Sequence, residues 1–292
     1  MSFISYLVNG ISLGGIYALI ALGYTMVYGI AKMLNFAHGD VIMIGGFVIF
    51  TICQTLGLPP IVGIILSMVV CTLLGVTIEK VAYKPLRKAS PLTVLITAIG
   101  VSYLLQNLAL LIFGSASKSF KSVVAVPDWK INAQLTISGE TIITIVVSVV
   151  IMILLTLFIN KSKQGRAMLA VSEDKGAAQL MGVNVNATIS LTFAIGSALA
   201  AIAGALLCSS YPQINPYTGA MPGIKAFVAA VFGGIGSIPG AMIGGILLGI
   251  IENLSKAYIS SQMADAIVFG VLIIVLLVKP TGILGKKIRE KV

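Results

Sequence analysis

The chain has 292 residues, of which 58% are hydrophobic and only 10% are charged, and its formal net charge is +10 at pH 7. No soluble domain of this length needs so much apolar surface, so the composition excludes an ordinary globular domain and predicts an integral membrane protein. The apolar runs have the length of helices and lack the ten-residue alternation of membrane strands, which excludes an outer-membrane barrel.

Nine apolar runs follow one another along the chain. They predict an all-α integral membrane protein, a polytopic helical bundle with about eight or nine transmembrane segments. The seventh run is short, so we expect it either to merge with its neighbour or to re-enter the membrane. In chain order, the runs cover residues 6–30, 41–56, 59–81, 92–113, 141–159, 188–207, 224–234, 241–251 and 264–278.

Lysine and arginine cluster in three of the segments between or after these runs. Because cytoplasmic loops are enriched in these residues, we expect all three segments in the cytoplasm, the C-terminus inside and the N-terminus outside. The connection at 114–140 is then extracytoplasmic, although its own lysines weaken the contrast. Because most of the net positive charge lies in these segments, we interpret it as setting the orientation in the membrane and not as a sign of a nucleic-acid partner. The cytoplasmic basic residues are Lys80, Lys84, Arg87, Lys88, Lys161, Lys163, Arg166, Lys175, Lys279, Lys286, Lys287, Arg289 and Lys291.

An internal repeat relates the two halves of the chain. Shifted by 180 positions, LNFAHGDVIMIGGFV (34–48) aligns with INPYTGAMPGIKAFV (214–228), so that Asn35 meets Asn215 and Gly39 meets Gly219. Five spans separate the copies, which predicts an inverted repeat of the kind common in transporters. The alternative is that the identities arose by chance, because membrane segments are built from few residue types. The single domain, 1–292, then divides into a first repeat (about 6–113), a linking span (about 141–159), a cytoplasmic coupling loop (160–187) and a second repeat (about 188–278).

Both copies contain an Asn-x-x-x-Gly sequence that predicts discontinuous helices, near 34–40 and 214–240. Unwound backbone at membrane depth is tolerated only where it is buried in protein or lines a wet cavity, so both breaks are candidates for a translocation path. Alternatively, His38 and Asp40 cap the helix that starts at Val41 or simply lie at its interface end. No second histidine or nearby carboxylate completes a metal site or a catalytic triad, so we expect no enzyme, metal or cofactor. The candidate path residues are Asn35, His38, Gly39, Asp40, Asn215 and Gly219.

Four other charges lie near the ends of the apolar runs. Glu79 is expected to reach the inner interface beside its neighbour Lys80. Glu252 and Asp265 are expected at solvated outer ends of their runs, and the place of Lys225 stays ambiguous. No carboxylate falls near the bilayer centre, which argues against a proton-coupled carrier. No phosphate-binding G-x-x-x-x-G-K-[ST] sequence occurs, so any ATPase is a separate subunit.

The polar loop KSKQGRAMLAVSEDKGAAQLMGVNVN (161–186) interrupts the apolar pattern. It predicts a short helix of about ten residues, capped by Ser172, with Glu173 and Asp174 in its first turn. Gly182 is expected to end this helix in the left-handed conformation. The helix would expose a small apolar surface, here called the knob, through which another protein could push the chain. The alternative is a solvated connector in which a helix forms without any functional role. The residues of the knob are Ala177, Leu180 and Met181.

Several sequence motifs occur here in one order along nearly the whole chain. They are GYTMVYGIAKMLNFAHGD, IEKVAYKPLRK, GRAMLAVSEDKGAAQLMGVN, KAFVAAVFGGIGSIPGAMIGG and LLVKPTGILG. With these motifs the chain resembles the LivH-type permeases of bacterial high-affinity branched-chain amino acid ABC importers.

This resemblance implies a multi-pass protein of the bacterial inner membrane, in contact with lipid. It also implies that a second, LivM-like permease completes the pore, that two cytoplasmic ATPase subunits drive it, and that a periplasmic or lipid-anchored binding protein delivers leucine, isoleucine or valine. Gly176 departs from the family pattern, since a residue with a side chain is usual there. The residues that resemble the ATPase-coupling segment are Gly165, Arg166, Glu173, Asp174, Ala177, Ala178, Leu180 and Gly182.

Two other functions remain open. A related importer for urea, amides or other amino acids would share these motifs. An ATP-independent carrier or channel would need no P-loop subunit.

Overall fold

The computed structural model describes residues 3–87, 89–124, 126–132 and 135–285. Lys88, Lys286, Lys287, Arg289 and Lys291, which contributed to the predicted topology, lie outside these ranges. Within the ranges, eleven α-helices and four short strands form. The helices are α1 Phe3–Ala31, α2 His38–Phe50, α3 Pro60–Ile78, α4 Pro91–Phe113, α5 Gly139–Lys161, α6 Lys163–Glu173, α7 Lys175–Leu180, α8 Val185–Ser210, α9 Ala220–Gly233, α10 Ile238–Tyr258 and α11 Ala264–Val278; the strands are β1 Lys118–Ser119, β2 Trp129–Asn132, β3 Leu135–Ile137 and β4 Gln213–Ile214.

Seven helices of the described chain are long and apolar enough to cross a membrane. Two of them are extended by irregular turns: α2 by a π-helical turn to Thr55, and α3 by a π-helical and a 3₁₀ turn to Leu86. Helices α9 and α11 are apolar but have only 14 and 15 residues. At 1.5 Å per residue, each is about 20 Å long, less than the ~30 Å of a hydrocarbon core. The prediction of an all-α polytopic membrane protein is confirmed.

Helices α1 and α8 form the centre of the bundle. In the most apolar stretch of α8, 72% of the residues are buried, against 22% in α4. The exposed side of α4 is apolar, with Leu111 and Ile112 at 83% and 70% exposure. An apolar surface of this kind suits lipid rather than water. The outer helices α3 and α5 therefore cover α8 and α1, and α4 covers α2.

The helix contacts of the first half of the chain correspond to those of the second half. Adding 180 to the residue numbers of α1, α2 and α3 gives the bounds of α8, α9 and α10 to within three residues. Helix α1 packs along α10, and α8 packs along α3; likewise α1 contacts α9, and α2 contacts α8. Glycines allow the backbones of α1 and α10 to meet, since a Cβ atom on Gly14 would lie 2.7 Å from the Cα atom of Ile246. Each of these helix pairs thus has its counterpart 180 residues away.

The connection between α4 and α5 contains strands that the sequence analysis did not predict. Strand β1 pairs antiparallel with β4, which directly precedes the second break, and β2 pairs with β3 in a hairpin. Phe120 is buried, and its amide donates to the carbonyl of Pro212 at 3.1 Å. This connection therefore holds the segment that leads into α9.

Candidate functional site

The two predicted breaks have the same backbone geometry. After α1 ends, the amide of His38 donates to the carbonyl of Asn35 at 3.1 Å. In the second copy, the amide of Thr218 donates to the carbonyl of Asn215 at 3.0 Å. A further bond of the same spacing follows two residues later in each copy, at 3.0 Å in both. The repeated sequence thus folds into a repeated turn, from which α2 and α9 begin.

These two turns meet at a pair of glycines. A Cβ atom on Gly39 would lie 2.6 Å from the carbonyl oxygen of Gly219, and a Cβ atom on Gly219 would overlap the carbonyl oxygen of Gly39. A Cβ atom on Gly223, in the first turn of α9, would lie 2.9 Å from the Cα atom of Gly39. Only glycine fits this crossing, where the two breaks touch backbone to backbone.

The side chain of His38 packs into α1. It is 1% exposed, its ring lies edge-on to Tyr24 at 4.9 Å, and a Cβ atom on Gly23 would overlap its Nε2 atom. Among the described residues, Nε2 has no hydrogen-bond partner. Ala37, the residue before α2, makes no side-chain cap bond. His38 is therefore a buried contact between α1 and α2.

Gly23 and His38 can be tested as one contact. We expect Gly23→Ala to destabilise the chain by about 1–3 kcal/mol, because the added methyl group overlaps the imidazole ring. His38→Ala removes the ring, so Gly23→Ala should cost much less in that background. Unfolding of the four proteins in detergent with increasing SDS measures the coupling. Strictly additive effects of the two substitutions would contradict the contact.

The remaining polar groups of the breaks are used within the protein. Asp40 is 2% exposed and accepts a hydrogen bond from Nε2 of Gln106 on α4 at 2.9 Å. Asn35 accepts one from the hydroxyl of Tyr83 at 2.9 Å. Asn215 accepts one from the amide of Tyr217 at 2.8 Å, within its own turn. Gly39 and Gly219 come together, whereas the predicted polar side chains point to separate neighbours. Their role in a translocation path stays a prediction.

The polar loop 161–186 forms two helices where one was predicted. Ser162 caps α6 by accepting from the amide of Gly165 at 2.8 Å, and Asp174 caps α7 by accepting from the amide of Ala177 at 2.9 Å. The prediction that Ser172 is the cap was wrong. Ser172 lies inside α6, where its hydroxyl donates to the carbonyl of Leu169 at 2.7 Å.

Two further details of this loop follow from the same geometry. Glu173 ends α6 and does not lie in the first turn of α7, and Asp174 is the extended residue between the two helices. Gly182 follows the end of α7 with φ +84°, which confirms the predicted left-handed stop of the helix. Gly165 lies against the end of α5, and Arg166 beside it is exposed.

Helix α7 presents an apolar surface to solvent. Leu180 and Met181 are 90% and 85% exposed, and Ala177 is also exposed, as the predicted knob requires. Ala178, on the opposite side, is buried at 4% exposure and attaches α7 to the bundle. Two adjacent large apolar side chains with this exposure are costly in water, which is typical of a surface that binds another protein.

Lys175 ties α7 to the end of α1. Its Nζ atom donates to the carbonyl of Ala31, the last residue of α1, at 2.9 Å. Burial lowers the pKa of Lys175, and the nearby cations Arg87 and Lys32 lower it further. A pocket of about 530 Å³ opens beside this contact and is lined by residues that include Arg87, Lys175, Gln179, Asn184 and Asn186.

Glu79 lies in a buried cluster that the sequence analysis missed. Its side chain is 0% exposed, pairs with Arg87 and accepts from the hydroxyl of Ser190 at 2.7 Å. Arg87 also donates to the side chain of Asn186. The prediction that Glu79 reaches the interface was wrong, because the helix continues past it through the π-helical turn Glu79–Tyr83.

A second buried cluster joins α1, α9, α10 and α11. Glu252 is 1% exposed and accepts from Lys225 at 2.8 Å, from Lys256 at 2.6 Å and from the hydroxyl of Tyr17 at 2.8 Å. Lys225 also pairs with Asp265 at 2.6 Å. The prediction of a solvated Glu252 was wrong, because α10 continues for six residues beyond it.

Comparison with known proteins identifies the family. Residues 6–277 match the family described as "Branched-chain amino acid transport system / permease component". The chain belongs to this branched-chain amino acid permease family. The resemblance drawn from the motifs is thereby confirmed, and members of this family are permeases of branched-chain amino acid transport systems.

Curated relatives cover almost the whole permease. The high-affinity branched-chain amino acid transport system permease protein LivH of Escherichia coli (strain K12) is 47% identical over 302 residues, covering 99% of this chain and 98% of the relative. The corresponding protein BraD of Pseudomonas aeruginosa is 46% identical over 303 residues, with the same coverage. A branched-chain amino acid transport permease protein of Methanocaldococcus jannaschii is 32% identical over 282 residues, covering 91% of this chain and 88% of the relative. With seven apolar helices in its described residues, this family member is a multi-pass membrane protein.

Proposed function

We propose that this chain is the permease subunit of an ATP-driven importer of branched-chain amino acids in the bacterial inner membrane. The observation that carries the proposal is its 47% identity with a permease protein of such a transport system over 99% of the chain. Since the sequence has no phosphate-binding loop, ATP hydrolysis falls to two cytoplasmic ATPase subunits. A LivM-like permease and a binding protein outside the membrane complete the assembly.

Helix α7 is the surface that the ATPase binds. Leu180 and Met181 supply the apolar contact, with the exposed Glu173 and Asp174 beside it. Gly176 weakens this short helix by up to ~1 kcal/mol relative to alanine. The cap from Asp174 to the amide of Ala177 contributes about the same amount and offsets that loss.

A pull on α7 reaches the bundle through α8. Only residues 181–184 separate the two helices, so α8 moves with α7. Helix α8 contacts α2 and, at its other end, leads into the second break. With α1–α4 and α8–α11 as two inverted repeats, this movement shifts one half of the pore against the other around the Gly39–Gly219 crossing. The breaks then gate the path.

Transport in proteoliposomes tests the proposal. The complete complex, with its ATPases and binding protein, should take up labelled leucine, isoleucine and valine only when ATP is supplied on the ATPase side. Urea, acetamide and other amino acids serve as competitors; if one of them displaces leucine and is itself transported better, the chain belongs to a related importer. Equal uptake by the permease pair alone would indicate an ATP-independent carrier.

The same preparation tests the orientation. In a chain with Cys53, Cys71 and Cys208 replaced, Arg166→Cys should react with a membrane-impermeant maleimide only from the cytoplasmic side, because α6 must face the ATPases. Reaction from the outside would leave α7 with nothing to bind and would contradict the coupling scheme.

A further inference from the structure

Two polar links lead to the first break: one begins on α7, and the other begins at the start of α8, which follows α7 after residues 181–184. We propose that these links transmit movement of α7 to the break, and that Lys175 and Tyr83 are the positioning residues that do so. This inference rests on the proposed function, in which α7 receives the ATPase.

The first link holds the residue at which α1 ends. Lys175 of α7 donates to the carbonyl of Ala31 at 2.9 Å. The next residue, Lys32, has φ +60°, the one positive φ of a non-glycine residue in the described chain. The last carbonyls of a helix lack partners within it, and a cation there is favourable. The contact joins α7 to the point where α1 unwinds, close to two other cations, Arg87 and Lys32.

The second link runs through the end of α3. At the start of α8, Asn186 and Ser190 bond to Arg87 and Glu79, which pair with each other. Glu79 is the first residue of the π-helical turn, and Tyr83 is the last. Tyr83 is fully buried and donates to Asn35 inside the break at 2.9 Å. Such turns occur frequently at functional sites, and this one joins a cytoplasmic cluster to the break.

A cavity separates the elements that the links connect. The pocket of about 530 Å³ lies between α7, Arg87 and the start of α8. Since close-packed side chains transmit displacement and a cavity does not, the hydrogen bonds to Arg87 and Glu79 bridge this gap, beside the packing of α8 against α3 and of Phe193 against Tyr83. The second break is held differently, by β1 of the connection between α4 and α5. The two breaks are therefore connected to opposite ends of the bundle.

Uptake per ATP hydrolysed tests the links. We expect Lys175→Met and Tyr83→Phe each to lower this ratio by up to about tenfold in proteoliposomes, with the ATP hydrolysis rate and the complex yield unchanged. Lys175→Arg keeps a donor and should restore the ratio. Lys163→Met removes a lysine from the same loop and should leave it unchanged. Unchanged ratios in the first two variants would overturn the inference, as would a parallel fall of uptake, hydrolysis and thermal stability, which indicates a merely structural role.

A cysteine reporter in each break separates the two routes. In the cysteine-replaced chain, the maleimide labelling rates of Leu34→Cys and Tyr217→Cys should both change when the complex is trapped with nucleotide. Adding Lys175→Met and Tyr83→Phe together should abolish the response at Leu34 and preserve it at Tyr217. A response at Leu34 that persists, or that is missing from the parent complex, would overturn the inference. Absence of ATP-driven uptake in the parent complex would instead contradict the proposed function, and this is measured first.

Discussion

Replacing Leu180 and Met181 together with aspartate should abolish ATP-driven uptake while the chain still folds and inserts. Both side chains are almost fully exposed, so their replacement removes no contact inside the bundle. Their burial in a partner is worth about 1.5–3 kcal/mol each, and an unpaired carboxylate in an apolar groove adds a penalty. A loss of 3 kcal/mol or more corresponds to a more than hundredfold weaker association.

Co-purification of the ATPase subunits with the tagged permease measures this loss directly. Gln164→Asp places a carboxylate on an exposed position of α6 and serves as the matched control. We expect the control to retain the ATPases and the double variant to lose them at equal permease yield. A double variant that keeps both its ATPases and its uptake would remove α7 from the coupling mechanism.

The elements that could be predicted from the sequence depend on the residue types within each segment, and not on contacts with distant segments. Nine apolar runs correspond to nine apolar helices in the described part of the chain, in the same order, because a backbone surrounded by lipid must form its hydrogen bonds within a helix. Gly182 was predicted because a helix end in the left-handed conformation strongly favours glycine. The repeated Asn-x-x-x-Gly breaks were predicted on the same local basis.

The cap of α7 could not be predicted, because two suitable residues compete. Ser172 and Asp174 both suit the cap position. Which one is used depends on the length of α6, and this helix extends to Glu173 with Met168 and Val171 buried against the bundle. This tertiary contact carries no local signal, and it moves Ser172 into the helix interior.

The burial of these charges could not be predicted because, beside the nearby Arg87 and Lys256, they have partners that are distant in sequence. Ser190 lies 111 residues from Glu79, and Tyr17 lies 235 residues from Glu252. A carboxylate near the end of an apolar run has the same local pattern whether it faces water or a cation on another helix. For the same reason, the breaks were predicted, but the direction of His38 and Asp40 was not.

The cluster around Glu252 carries the second large prediction. Glu252→Ala should destabilise the chain by about 3–5 kcal/mol, because it leaves Lys225 buried without its buried partner. The half-exposed Asp265, which then remains, is also open to solvent and cannot replace a buried carboxylate with three donors. Unfolding in detergent with increasing SDS, followed by the helical circular dichroism, measures the change.

Two further variants distinguish a lost charge pair from a lost side chain. Lys225→Met with Glu252→Gln removes both buried charges, while glutamine can still accept from Tyr17, so most of the stability should return. Asp265→Asn removes a charge that is 43% exposed and should cost less than about 1 kcal/mol. If Glu252→Ala proved no more harmful than Asp265→Asn, the cluster would not hold α9 in place. The second break, at the start of that helix, would then depend on the Gly39–Gly219 crossing and on strand β1.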